Sequence, residues 1–264
     1  MELPAELHGG LMFVRAATAG GPSGLFLIDT GAAATVLDAR LAAQRDIVLG
    51  DPVRVHGGDG DLAAQQAENV TLALPGAAPL RIDPLVADLG PVSRGMGLTL
   101  DGVIGDDVLR RFVVTLDFRA GRIRLSAPDG APPPDAVPMR FIATPFIEAE
   151  VQDAGRSASA MFQIDTGSNT AVEFWAPFAH VALPQAATTP GAEVGLAGAG
   201  AKTARGRIDA LIVAGRRIAQ ASANFADYLR PDDAGAAYGG VIGAPAWSGL
   251  ALTLDFPERR VWVR

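Results

Sequence analysis

The sequence predicts a mostly-β fold with two similar, β-barrel-like lobes related by a pseudo-twofold axis. Glycine and proline are frequent, with 31 and 19 among the 264 residues, and short β-type runs alternate with turn residues, whereas long helical patterns are scarce. The second half of the chain also repeats features of the first half at a nearly constant spacing. Two long repeats do not make a solenoid, so we interpret them as two lobes arranged as in a fused symmetric dimer.

Three pairs of short segments define the repeat. The first pair is Phe-Leu-Ile-Asp-Thr-Gly at 26–31 and Phe-Gln-Ile-Asp-Thr-Gly at 162–167. The other pairs are Val-Ile-Gly at 103–105 and 241–243, and Thr-Leu-Asp-Phe at 115–118 and 253–256. Equivalent positions are 136 residues apart in the first pair and 138 apart in the other two, which indicates an internal duplication.

The first half, taken in order, predicts strands joined by turns. It begins with a strand at 11–18, a turn at 20–24, a strand at 25–28, an extended segment at 32–37 and a helix at 39–45 with Asp38 as its N-cap. It continues with a long hairpin at 52–74, a strand at 80–89 followed by a polar loop, a short helix near 107–111 capped by Asp106 and Asp107, and a closing hairpin at 113–118 and 122–125. The second half is expected to follow the same order.

A proline-rich segment at 128–138 is the best candidate for a boundary. Five prolines lie within it, and such a run favours extended backbone without sheet partners. We therefore predict an N-terminal lobe at 1–127, a linker at 128–138 and a C-terminal lobe at 139–264.

Composition narrows the classes of partner. The net charge is −7 and no basic stripe is present, so nucleic acid is not an expected partner. No apolar run approaches the roughly 20 residues of a membrane span. The chain has no cysteine, and its three histidines are scattered without ligand spacing, so we expect neither a disulfide framework nor a metal site nor a cofactor.

The N-terminus does not resemble a signal peptide, because it lacks a basic start and an apolar core. Met1 is followed closely by strand-like sequence. We expect a periplasmic or secreted protein from which a leader has been removed, with a cytoplasmic protein as the alternative.

Each Asp-Thr-Gly follows an apolar run that would carry Asp29 or Asp165 to the interface of the two lobes. Two carboxyl groups about 3 Å apart cannot both ionise, so the pair shares one proton. Its ionised member can take a proton from water while its protonated member polarises a carbonyl group. Such a pair can do the general acid and base work that hydrolysis of an amide requires. The sequence does not assign the two roles, because the pKa values belong to the pair.

The neighbouring residues fit such a site. The hydroxyl groups of Thr30 and Thr166 could form hydrogen bonds across the pseudo-twofold axis and hold the loops together. Gly31 and Gly167 would let each backbone turn tightly and approach its twin. Asp117 and Asp255 also recur, but each lies in a closing hairpin, where we expect bonds to local backbone.

Asp-Thr-Gly-Ala at 29–32 and Asp-Thr-Gly-Ser at 165–168, each followed by an apolar-apolar-Gly segment, resemble the retropepsin-like and pepsin-like aspartic proteases. The likeness is nearest to bacterial aspartyl proteases, here as a fused two-lobe chain. It implies an aspartic endopeptidase with the bilobal acid-protease fold and its active site between the lobes. Asp29 and Asp165 would be the catalytic pair, and Thr30, Gly31, Thr166 and Gly167 would support the loops.

The resemblance also implies a polypeptide substrate that binds in extended form beneath a flap. Glycine-rich segments in both halves could form two flaps, as in the retroviral type, with candidate residues His56, Gly57, Gly58, Gly198 and Gly200. Because the duplication already supplies the symmetric partner, we expect a monomer. Two alternatives stay open, a catalytically inactive peptide-binding module and a regulatory or self-processing protease with a narrow range of substrates.

Overall fold

The computed structural model describes residues 1–57, 60–128, 130–183, 188–194, 200–226 and 237–264. These residues form three β-sheets and a few short helices, which confirms the mostly-β, bilobal fold. Among them, no helix is long and apolar enough to cross a membrane.

The strands of the first half are β1 (Glu2–Pro4), β2 (Glu6–His8), β3 (Leu11–Thr18), β4 (Ser23–Ile28), β5 (Val36–Asp38), β6 (Leu49–Gly57), β7 (Gly60–Ala67), β8 (Val70–Ala73), β9 (Leu80–Ile82), β10 (Leu85–Ala87), β11 (Gly102–Ile104), β12 (Val113–Asp117) and β13 (Arg122–Ser126). Its helices are α1 (Ala39–Gln44), α2 (Gly90–Met96) and α3 (Asp106–Leu109).

The strands of the second half are β14 (Val137–Pro138), β15 (Arg140–Ile142), β16 (Thr144–Asp153), β17 (Arg156–Asp165), β18 (Val172–Trp175), β19 (Thr188–Val194), β20 (Gly200–Val213), β21 (Arg216–Ala226), β22 (Tyr238–Gly243), β23 (Ala251–Asp255) and β24 (Arg260–Val263). A helix, α4 (Ala176–Ala182), and a 3-10 turn, Ala244–Trp247, complete the second half.

Each lobe is built on one large sheet. In the first lobe the strand order is β6-β7-β10-β5-β11-β4-β3-β8-β9, with β2 paired to β3. In the second lobe the order is β15-β16-β17-β22-β18-β21-β20-β19, and an additional pairing of β16 with β20 closes six of these strands into a barrel. The two sheets share the pairing that carries the Asp-Thr-Gly segments, because β4 lies parallel to β11 as β17 lies parallel to β22.

The lobes differ where the first lobe breaks strands that the second keeps whole. The 14-residue strand β20 corresponds to β7 and β8, which are separated at Asn69, a residue with φ of 56°. The predicted strand at 80–89 is likewise two strands, β9 and β10, separated at Asp83-Pro84, because proline has no N–H for the ladder. The predicted single hairpin at 52–74 and single strand at 80–89 are therefore wrong in detail.

A six-stranded sheet joins the two lobes. Its order is β1-β13-β12-β23-β24-β14, so three strands of the first half lie beside three strands of the second half. At its centre the equivalent strands β12 and β23 pair antiparallel, and Thr115 lies opposite Thr253. The hydroxyl groups of these two threonines are 3.0 Å apart, which places the pseudo-twofold axis between them.

Several other predicted elements are confirmed or corrected. The strand at 11–18 and the helix capped by Asp38 are present, and the Asp38 side chain accepts a hydrogen bond from the N–H of Arg40. The extended segment at 32–37 is a strand only from Val36 onwards. The polar loop after residue 89 contains α2, and the end of the proline-rich segment does have a sheet partner, since β14 pairs with β24.

Candidate active site

Asp29 and Asp165 occupy equivalent places at the ends of strands. Asp29 follows β4, and its N–H donates to the carbonyl oxygen of Ile104 at 3.1 Å. Asp165 is the last residue of β17, where it lies opposite Gly243 of β22. The three residues before each aspartate, 26–28 and 162–164, are buried, so they fix the backbone that carries each carboxyl group.

Four hydrogen bonds connect the two loops across the pseudo-twofold axis. The N–H of Thr30 donates to Oγ1 of Thr166, and the N–H of Thr166 donates to Oγ1 of Thr30, both at 3.1 Å. Each hydroxyl group in turn donates to a carbonyl oxygen of the opposite strand, Thr30 to Ile164 at 2.7 Å and Thr166 to Ile28 at 2.8 Å. Both threonines are fully buried, so these bonds are shielded from water and fix the distance between the loops.

Gly31 and Gly167 are required because neither position has room for a side chain. A Cβ atom at Gly31 would lie 2.3 Å from Cγ of Asp165, and one at Gly167 would lie 2.5 Å from Cγ of Asp29. Neither glycine has a positive φ, so tight turning is not the reason for them, contrary to the expectation from sequence. Each glycine gives room to the carboxyl group of the other lobe.

The two Val-Ile-Gly segments pass directly beneath the loops, as expected. A Cβ atom at Gly105 would lie 2.6 Å from the carbonyl oxygen of Ala32, and one at Gly243 would lie 2.1 Å from that of Thr170. This close backbone contact supports each loop from below, and any side chain at either glycine would displace it.

The two carboxyl groups have unequal surroundings. The side chain of Asp29 is 7% exposed, whereas Asp165 is only partly buried. Oδ1 of Asp165 accepts bonds from the N–H groups of Gly167 at 2.8 Å and Ser168 at 3.1 Å, and Oδ1 of Asp29 accepts one from Gly31 at 2.7 Å. Burial, followed by the charge and hydrogen bond of Asp165, raises the pKa of Asp29 well above its ordinary value. Burial beside a second carboxyl group thus favours the protonated form of Asp29.

Asp106, which the sequence suggested as a helix cap, lies beneath the Asp29 loop. It is 1% exposed, and its N–H donates to the carbonyl oxygen of Ala32 at 2.8 Å. The cap residue of α3 is Gly105, which has no side chain to offer, so the capping prediction is wrong. Burial raises the pKa of Asp106 to about 9, and the charges of Asp29, Asp107 and Asp165 add to this effect.

Asp107 is also not a cap. Its Oδ1 accepts bonds from both the N–H and the hydroxyl group of Thr35, at 2.8 and 2.7 Å. The same hydroxyl oxygen accepts a bond from the N–H of Gly105 at 3.2 Å. Asp107 therefore ties the segment after the Asp29 loop to the start of α3.

Gln163 is a buried polar residue at the site that no sequence motif indicates. It is 2% exposed on β17, and its Nε2 donates to Oγ1 of Thr144 at 3.1 Å and to the carbonyl oxygen of Gly31 at 3.3 Å. The latter bond crosses from the second lobe to the loop of the first. The equivalent residue of the first lobe is Leu27, so comparing the two repeats position by position could have identified Gln163.

The candidate flap residues are described only in part. His56 and Gly57 are in β6, where they pair with Asp61 and Gly60 of β7, and Gly200 begins β20. Gly58 and Gly198 lie outside the described residues. The structure thus places the base of a hairpin where the sequence predicts the first flap.

The recurring aspartates of the closing hairpins have local roles. Asp117 accepts bonds from the N–H groups of Arg119 and Ala120, and Asp255 accepts one from Glu258. Within the described part of the chain, no three histidine or acidic residues are grouped as metal ligands would be.

The geometry can be set beside known proteins. Residues 14–108 match the family model described as aspartyl protease. This range includes Asp29, its loop and the Val-Ile-Gly segment beneath it, and it ends before the second lobe. A search of curated proteins found no significant match.

Proposed function

We propose that the protein is an aspartic endopeptidase in which Asp29 and Asp165 form the catalytic pair. The observation that carries this proposal is the reciprocal contact of the two loops, in which each carboxyl group lies against the glycine of the other loop. The likeness of residues 14–108 to aspartyl proteases supports the same chemistry. Thr30, Gly31, Thr166 and Gly167 would hold the pair in place before substrate arrives.

The unequal surroundings of the pair suggest the initial role of each member. Asp165, the more exposed carboxylate, would take a proton from water, whose oxygen then attacks the carbonyl carbon of the peptide. Asp29 would donate its proton to the carbonyl oxygen, which gives a neutral tetrahedral diol. Collapse of the diol would return a proton to Asp29, while Asp165 would pass its proton to the leaving nitrogen as the C–N bond breaks. Both carboxyl groups then regain their starting states.

The substrate would be a polypeptide bound in extended form between the lobes. The hairpin of β6 and β7 would provide one flap, and that of β19 and β20 would provide a second, as in the retroviral type. The lobes 1–127 and 139–264 would act together as a monomer, because the six-stranded sheet already pairs them within one chain.

The test is cleavage of a peptide library between pH 3 and 7 by the wild type, by Asp29→Asn and by Asp165→Asn. Asp117→Asn is the matched control, since it changes a carboxyl group in a hairpin away from the pair. We expect cleavage by the wild type and the control, and a loss of about 10³-fold or more in kcat for either variant of the pair. Equal activity in all four proteins would contradict the proposal.

Two other candidates are distinguished by the same measurements. A peptide-binding module would bind library peptides without cutting them, and both variants of the pair would bind as the wild type does. A self-processing protease would leave the library intact but slowly shorten its own chain, and Asp29→Asn would abolish that cleavage. The partly exposed position of Asp165 favours the endopeptidase, because it leaves one carboxylate accessible to water.

A further inference from the structure

Asp106 is a buried acid beside the aspartate pair for which the proposed mechanism has no task. Its side chain is 1% exposed at the start of α3. Neither of its carboxyl oxygens has a hydrogen-bond partner among the residues that the structure describes. A carboxylate in such a place would be strongly destabilised, so the folded protein holds Asp106 in its protonated form.

The backbone of Asp106 fixes this acid to the loop of the first aspartate. Its N–H donates to the carbonyl oxygen of Ala32, and Gly105 before it packs against the same oxygen. The charged groups that act on Asp106 are Asp29 and Asp165 of the pair, Asp107 of its own helix, and Arg110. Burial, followed by the three acidic groups, opposes the ionisation of Asp106, and Arg110 favours it, so that the pKa of Asp106 is raised to about 9.

The second lobe shows that this fold does not require an acid here. Its equivalent residue is Ala244, whose N–H donates to the carbonyl oxygen of Ser168 at 2.9 Å. The backbone contact beneath the loop is therefore the same in both lobes, and only the first lobe adds a carboxyl group. Its burial without a partner costs stability at neutral pH, so the acid calls for a functional reason.

We propose that Asp106 is a positioning residue of the aspartate pair, which in its protonated form packs beneath the Asp29 loop and on ionising displaces that loop and stops catalysis. This inference rests on the proposed function. An ionised Asp106 would add a negative charge beside the pair, which already carries one, and it could gain water only by separating α3 from the loop above it. Asp106 would thus set the upper pH limit of activity.

The first experiment compares pH profiles. We would measure kcat/KM between pH 4 and 10 for the wild type, Asp106→Asn, which keeps the shape, and Asp106→Ala, which copies the second lobe. After scaling each profile to its own maximum, we expect the alkaline limb of both variants to lie at higher pH than that of the wild type. Asp117→Asn should follow the wild type. Coincident alkaline limbs in all four proteins would overturn the proposal.

The second experiment does not depend on activity. Between about pH 5 and 8 the wild type should lose stability as pH rises, because Asp106 stays protonated when folded and ionises when unfolded. Per pH unit, the folding equilibrium constant of the wild type should fall by up to about tenfold more than that of either Asp106 variant. A constant vertical offset between the stability curves of the two variants measures their difference in packing. A change in slope that both variants share measures the loss of the proton that Asp106 binds. Stability curves parallel to that of the wild type would overturn the proposal.

The two experiments separate failure of this inference from failure of the proposed function. If no protein cleaves any peptide but the slopes differ as expected, the endopeptidase proposal fails together with the catalytic part of this one, and the protonated Asp106 stands. If peptides are cleaved by the pair while the limbs and slopes are unchanged by substitution at Asp106, the function stands and the positioning role is wrong.

Discussion

At the scale of single residues, the two loops are held by contacts that leave almost no room for variation. Gly31 faces the carboxyl group of Asp165 at a distance where no other side chain fits, and Gly167 faces Asp29 in the same way. The substitution of either glycine therefore acts on the opposite lobe. This makes the loops a sensitive place to test how closely the geometry of the pair governs activity.

We predict that Gly31→Ala lowers kcat strongly and costs about 1–3 kcal/mol of stability, because the added methyl group overlaps Asp165. Gly95→Ala is the matched control. Gly95 lies in α2 with open space around it and no positive φ, so the same substitution there should be neutral or raise stability by up to about 1 kcal/mol. Peptide cleavage and thermal unfolding of both variants check this. Full activity in Gly31→Ala would show that the loops can move apart without consequence.

The sequence was sufficient to predict the residues that occur twice and insufficient for those that occur once. Asp29, Thr30 and Gly31 are candidates because their twins recur at a fixed spacing. For Asp106 the residue type predicts only a helix start, where acids are common. Residue type does not show that this side chain is buried or that its carboxyl group has no hydrogen-bond partner. The sequence around Gln163 has the pattern of an ordinary buried strand, which does not indicate a contact with the other lobe.

At the scale of elements, the first lobe is a broken version of the second. The predictions of single strands failed where Asn69 adopts a left-handed conformation and where Pro84 interrupts the ladder. Helix α2 was missed although Pro91 lies in its first turn and Gly97 ends it with φ of 68°, which is a recognised pattern of helix ends. The prediction of a polar loop after residue 89 does not use these two signals.

The break at Asn69 gives a prediction for the first lobe. Asn69 is exposed with φ of 56°, and its N–H donates to Asp83 at 2.8 Å. We expect Asn69→Val to cost about 1–2 kcal/mol, because a β-branched residue does not tolerate this conformation. Asn69→Gly, which adopts it freely, is the control and should unfold near the wild-type temperature. An equal loss in both variants would mean that the amide side chain, and not the backbone, matters.

At the scale of the whole molecule, two buried acids make stability depend on pH. The pKa values of Asp29 and Asp106 are raised in the folded state, mainly by burial. The stability that these two acids allow is fully present below the pKa of the unfolded chain, which is ordinarily 3.8. It is lost as the pH rises towards the pKa of the folded state, which is about 9 for Asp106. Exposed acids with a lowered pKa, such as Glu6 beside Arg15, act in the opposite direction, but solvent screens them.

We therefore predict that the thermal midpoint of the wild type is higher at pH 5 than at pH 8. Unfolding followed by circular dichroism across this range is the measurement, at constant ionic strength so that surface ion pairs contribute equally. Asp29→Asn should reduce the difference, since it removes one of the two acids. A midpoint that rises between pH 5 and 8 would contradict the assignment of protonated acids to the interior.

The pairing of Thr115 with Thr253 has a consequence for how such a chain can diverge. The axis between the lobes passes through two pairs of threonines. Thr30 and Thr166 of the loops are 136 residues apart in the sequence, and Thr115 and Thr253 of the central sheet are 138 apart. Between these points the second lobe is thus two residues longer than the first, and both pairs of threonines still meet across the axis. A difference in length between the loops and the central sheet therefore leaves the paired carboxyl groups in place. If the protein is the endopeptidase proposed above, each lobe can therefore differ in length from the other without a change in the chemistry of the pair.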